Sequence, residues 1–198
     1  MPDRFRCVGE GYAWGAPDAE VVLEDAWRGT PPSWLTRGAA RHPALEVTER
    51  RGCDLDPVDP GPPGGSLALR AYVWPDQSAR HARLAGALRL ARAVPAEVTA
   101  TGAADFLRGL SLRDGTLTVV WHSVMRQYVP REEWDRVRGE LDRLAADSGP
   151  RRAFLHLAFE PERVGEERPF RLTAWLNGEP AVTLAYAAPH GLPARTPA

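Results

Sequence analysis

The stretch Thr116–Tyr128, TLTVVWHSVMRQY, constrains the fold of this chain more than any other. Leu117 to Trp121 form an apolar, β-branched run long enough for one strand buried on both faces. The run stops at His122-Ser123, and Gln127-Tyr128 follow shortly before Pro130. A polar cluster at the carboxyl end of a central strand is where open α/β sheets bind their ligands.

Around that stretch, strand-like and helix-like segments alternate. Met1–Ala44 is the least regular part, with one candidate strand at Val21–Trp27 between glycines and prolines. Leu45–Arg51 alternates as a strand does, Gly61–Ser66 reads as a loop, and Leu67–Val73 is a short apolar segment. A helix follows, with Asp76 or Ser78 as its cap, Leu84, Ala87, Leu88 and Ala91 on one face, and Arg89 and Arg92 on the solvated one. Pro95 ends it, Glu97–Ala100 is a short strand, and Phe106, Leu107 and Leu110 form a small apolar face. The clearest helix opens at Pro130-Arg131. There Trp134, Val137, Leu141 and Leu144 recur at helical spacing, and Glu132 stands four residues before Arg136. Strands are expected at Ala153–Phe159, Phe170–Leu176 and Val182–Ala187, the last two joined by an Asn177-Gly178 hairpin turn. Alternation followed by a hairpin predicts a single α/β domain over residues 1–198. Its core, residues 45–198, is Rossmann-like: a mostly parallel sheet with helices on both faces and a C-terminal antiparallel hairpin.

Composition removes several function classes. The chain has 198 residues, suited to one well-packed domain, and a net charge of −1, so no concentrated positive surface argues for nucleic acid or an anionic membrane. All 25 basic residues are arginine, which stays protonated; proton transfer falls to carboxylates, Tyr, Cys and the five His. Cys7 and Cys53 form no C-x-x-C pair, and the first residues lack the apolar core of a signal peptide, so a reducing cytoplasm is the expected location. There is no P-loop, no G-x-S-x-G elbow around Ser123, and no close histidine pair to hold a metal.

The segments Arg51–Asp59 (RGCDLDPVD), Ala71–Gln77 (AYVWPDQ), Thr118–Tyr128 (TVVWHSVMRQY) and Pro189–Gly191 (PHG) resemble, in this order, the bacterial family called domain of unknown function 2332. The resemblance covers most of the chain from Asp3 onward. It implies a domain similar to class I S-adenosylmethionine methyltransferases, and carries no established activity with it. Members of that family carry a glycine- and alanine-rich loop just before a stretch resembling Asp3-Arg4-Phe5. This chain therefore reads as lacking the first strand and its glycine loop, through a misplaced start or genuine shortening. A sheet without that strand is expected to leave apolar edges open to self-association.

His122 is the first candidate for catalysis, as a general base oriented by Ser123 or Tyr128; a buried histidine satisfied by backbone is the alternative. Gln127 is placed to hold substrate. Trp74, Asp76 and Gln77 suit the rim of a pocket for a planar or cationic ligand, with Asp76 as a helix cap the plainer reading. Asp54 reads either as a ribose acceptor or, with Asp56 and Asp59, as a turn former beside Pro57 and Pro60. Asp105 reads as facing an adenine amino group or as complementing a helix dipole. Glu160 ends one strand and His190 follows the last; if strand order sets Glu160 beside His122, the two form a His–carboxylate pair. Two functions remain in view. One is a methyltransferase-like enzyme using S-adenosylmethionine and no metal; the other is a non-catalytic module binding a small ligand or a protein.

Overall fold

The computed structural model describes residues 4–42, 46–162 and 169–197. It is a mixed α/β protein whose contacts divide into two compact units, residues 1–26 with 31–101, and residues 27–30 with 102–198.

In the first unit, β1 (Phe5–Gly9) pairs antiparallel with β2 (Tyr12–Gly15) and parallel with β3 (Val21–Glu24), and α1 spans Ser33–Arg41. The segment expected to be irregular is thus a small sheet. Its strands are only four or five residues long, too short for a periodic signal, and Gly11 at φ 74° makes the β1–β2 turn that a side chain would strain. β4 (Arg51–Asp54) pairs parallel with β5 (Glu97–Ala100), so the strand expected from residue 45 forms only where it meets this partner; Leu45 lies outside the described residues. The apolar Leu67–Val73 segment lies mostly in a helix, α2 (Pro63–Ala71). α3 (Ser78–Ala93) matches its expected span and leaves Arg89 and Arg92 exposed. Its N-cap is Gln77, with no side-chain capping bond, so Asp76 does not cap it. Gly86 is required where α3 crosses β3, because a Cβ there would come within 2.7 Å of the Glu20 carbonyl oxygen.

The second unit carries α4 (Ala103–Arg108), β6 (Thr116–Ser123), α5 (Arg131–Asp147), β7 (Arg152–Pro161), β8 (Phe170–Leu176), β9 (Val182–Ala187) and β10 (Ala194–Arg195). The sheet order is β10-β9-β8-β7-β6; β6 and β7 are parallel, the other pairs antiparallel. The expected terminal hairpin is present with the predicted strand bounds. Asn177 (φ 50°) and Gly178 (φ 77°) turn it, both in the left-handed conformation that favours these residues.

The core of this unit lies between α4, α5 and β7. Val137, Leu141 and Leu144 stack along one stripe of α5 against Ala104, Leu107, Leu112 and Phe154, as their spacing predicts. Arg136 pairs with Glu133 (2.7 Å) and Asp105 (2.6 Å), not with Glu132, because the network ties α5 to α4.

β6 departs from expectation. It is an edge strand among the described residues, and its burial alternates: Thr118, Val120 and His122 turn inward, whereas Leu117, Val119 and Trp121 turn out, Trp121 being 64% exposed. A continuous apolar run cannot by itself reveal which of its faces is covered. Among the described residues no helix is long and apolar enough to cross a membrane.

Candidate functional site

The parallel register of β6 and β7 sets His122 opposite Ala158, two residues before Glu160. Strand order therefore meets the condition for a His–carboxylate pair. His122 Nδ1 lies 2.8 Å from Glu160 Oε1, with side chains only 10% and 19% exposed. The same oxygen accepts from the backbone N–H of Met125 (3.0 Å) and of Arg126 (3.2 Å). Those amides are aimed by a sharp turn after β6, where Val124 stands at φ 55° and donates its N–H to the Phe159 carbonyl. A β-branched residue in this conformation is strained by about 1–3 kcal/mol, and such strain gathers at sites where geometry matters more than local stability.

Alternation along β7 puts Phe154, His156, Ala158 and Glu160 on one face, under α5. β8 continues that face with Arg171, Thr173 and Trp175, which pair with Glu160, Ala158 and His156. Between this face and α5 lies a cavity of about 470 Å³, lined also by His122, Arg126, Trp134, Arg138 and Glu162. Its aromatic walls are continuous. His122 meets Trp134 edge to face at 5.5 Å, lies 5.3 Å from the His156 ring, and His156 stacks on Trp175 at 4.6 Å.

Burial, with His122 beside it, pushes the His156 pKa down to about 4, so its ring is neutral near neutral pH. Glu162 is held by Arg171 at 3.0 Å, and Arg126 lies 4.9 Å over the Trp134 ring. Four buried atoms of this wall, His122 Nε2, His156 Nε2, Glu160 Oε2 and Glu162 Oε2, have no hydrogen-bond partner among the described residues. Leaving a buried polar atom unpaired costs roughly 1–3 kcal/mol, so the site retains hydrogen-bonding capacity that the fold itself does not use.

Of the candidate site residues named from sequence, His122 and Glu160 line this cavity and the others do not. Glu160, rather than Ser123 or Tyr128, orients the imidazole: Ser123 is on the outward face of β6, and Tyr128 is 78% exposed in the short 3₁₀ turn that also carries Gln127. His190 is exposed in the turn after β9. Trp74, Asp76 and Gln77 belong to the first unit, where Gln77 accepts from Arg80 (2.6 Å). Asp54, also there, accepts the Asp56 N–H at 2.9 Å and closes a turn, its plainer reading. Asp105 Oδ1 is bound by Arg136 (2.6 Å) and Arg108 (2.9 Å), so it joins α4 to α5.

Sequence reasoning missed His156, Trp175, Arg126, Arg138, Arg171 and Glu162. The signal for His156 was available: in H-L-A-F-E, His156, Ala158 and Glu160 alternate with Leu157 and Phe159, the spacing that sets two polar side chains on one face of a strand.

No curated protein and no solved structure matches the chain. The family described as "Uncharacterized protein conserved in bacteria (DUF2332)" matches it over residues 1–195, and the chain belongs to that family.

Proposed function

We propose that the second unit is a small-molecule-binding module whose site is the cavity beneath α5, with His122 exchanging a proton with the ligand. The observation that carries this reading is the Glu160–His122 contact beside a cavity with aromatic walls. An ionised carboxylate only accepts hydrogen bonds, so Glu160 makes Nδ1 the donor and leaves Nε2 as the nitrogen that takes or gives a proton. That arrangement suits general acid–base chemistry; a purely binding role would use the same nitrogen as a fixed acceptor.

The test is a screen of rigid ring fragments against the whole chain, read on the histidine side-chain NMR signals. Binders should move His122 and His156, leave His42, His81 and His190 in place, and fail against Trp134→Ala. Binders that spread over the surface, or ignore Trp134→Ala, would overturn the reading.

A second reading is a Rossmann-like, methyltransferase-related domain that binds S-adenosylmethionine. It is supported by the family resemblance, by two parallel strand pairs (β4–β5 and β6–β7) each joined through helices, and by the terminal hairpin. Asp54 and Asp105, read from the sequence as facing ribose and adenine, have their Oδ1 atoms engaged in a turn and an ion pair. Calorimetric titration with S-adenosylmethionine decides it: absence of heat sinks this reading, and binding weakened by Asp54→Ala restores it.

A further inference from the structure

The mouth of the cavity differs in charge from its interior. A shallow recess of about 400 Å³ opens beside it, lined by Arg126, Arg131, Trp134, Asp135 and Arg138, and shares Arg126, Trp134 and Arg138 with the cavity. Three guanidiniums line the recess with one carboxylate, Asp135, which is paired with Arg138 at 2.7 Å, and a second exposed carboxylate, Asp142, lines the cavity beside them. Among the described residues neither Arg126 nor Arg131 has a carboxylate partner. Arg126 is nonetheless well placed: its backbone N–H is tied to Glu160, and its guanidinium lies over the Trp134 ring. A planar, forked donor held over an aromatic face is built to grip a flat anion.

Deeper in, the balance reverses. Glu160 and Glu162 each present a buried oxygen without a partner among the described residues, and His156 between them and Trp175 is neutral. The interior therefore accepts hydrogen bonds and stacks rings, while the rim attracts negative charge.

We infer that the ligand of this site is a ring-bearing organic anion, a carboxylate or a phosphate ester, with its charged group at Arg126 and Arg131 and its ring inside against Trp134 and Trp175. The inference rests on the cavity beneath α5 being the binding site, and adds the ligand's class. The anion stays at the solvated rim, where the guanidiniums need not be fully dehydrated, and the ring takes the apolar burial. Donors on the ring's far side meet the free carboxylate oxygens of Glu160 and Glu162.

The experiment is an NMR titration of the whole chain with four matched probes: naphthalene-1-carboxylate, 1-naphthyl phosphate, naphthalene-1-carboxamide and 1-naphthylmethylamine. The two anions should bind about tenfold or more tighter than the amide, as expected when the guanidiniums meet an ionised acceptor in place of a neutral one. Their ratio identifies which anion the rim prefers. The double variant Arg126→Gln, Arg131→Gln should abolish that preference, bringing the anions to the affinity that the amide has for the same variant. Amide or amine binding as tightly as the anions, with His122 and His156 signals still moving, would overturn the ligand class and leave the site intact. Failure of all four to bind would overturn both.

Discussion

Replacing Glu160 tests the centre of the site directly. One oxygen, Oε1, accepts from three donors: the His122 ring and the backbone N–H groups of Met125 and Arg126. Glu160→Ala removes all three bonds at once. Hydrogen bonds to a charged group contribute about 1.5–3 kcal/mol each when the partner is then left dry. The His122 ring, 10% exposed, bears that cost in full, whereas water can reach the amide of exposed Arg126 and replace much of what it loses. The expected loss is therefore about 3 kcal/mol, well below three full bonds. Glu160→Gln keeps an oxygen where Oε1 sits and loses only the charge, so about 1 kcal/mol is expected. Urea unfolding followed by tryptophan fluorescence measures both, and nitrogen NMR of His122 should show loss of the fixed Nδ1–H tautomer in the alanine variant. A loss under about 0.5 kcal/mol for Ala, the size of an ordinary surface substitution, would refute the reasoning, as would equal losses for Ala and Gln.

Two further predictions concern the same unit. His156, with a pKa of about 4 folded against 6.5 free, is neutral in the folded chain while the unfolded chain takes up the proton first; its contribution to stability is complete above about pH 6.5 and lost as pH falls toward 4. Its imidazole NMR titration should have a midpoint near 4, and a midpoint near 6.5 would show that the ring is solvated. Asn177→Ala removes the Oδ1 that accepts the Phe154 N–H at 2.8 Å and leaves a Cβ-bearing residue at φ 50° without side-chain compensation, an expected loss of about 1–2 kcal/mol. An unchanged thermal midpoint would mean that the turn does not set the β8–β9 hairpin.

What the sequence reveals divides along physical lines. α5 is legible because its apolar stripe repeats over about three turns, and β8 and β9 because the Asn177-Gly178 turn joins them. The short strands β1 and β2 give no such repeat; their identity comes from pairing with each other. His122 stands out because it interrupts an apolar run. Its partner Glu160 is 38 residues away and becomes visible only through strand order. Arg126, Arg138 and Arg171 look like any other arginine in a chain whose basic residues are all arginine, and only the cavity separates them from the rest.

The alternation of β6 makes the site sensitive to chain length. His122 points inward because an odd number of residues, Leu117 to Trp121, separates it from Thr116 on the same face. Adding or removing one residue in that stretch while the strand stays paired to β7 would carry the imidazole to the outer surface and bring Trp121 or Ser123 against α5. A change of two would restore parity and move the ring only along the strand. Variation in this family should therefore tolerate substitutions at Leu117, Val119 and Trp121 far more readily than a single insertion between them, since the outward residues are interchangeable in type while the inward count is not.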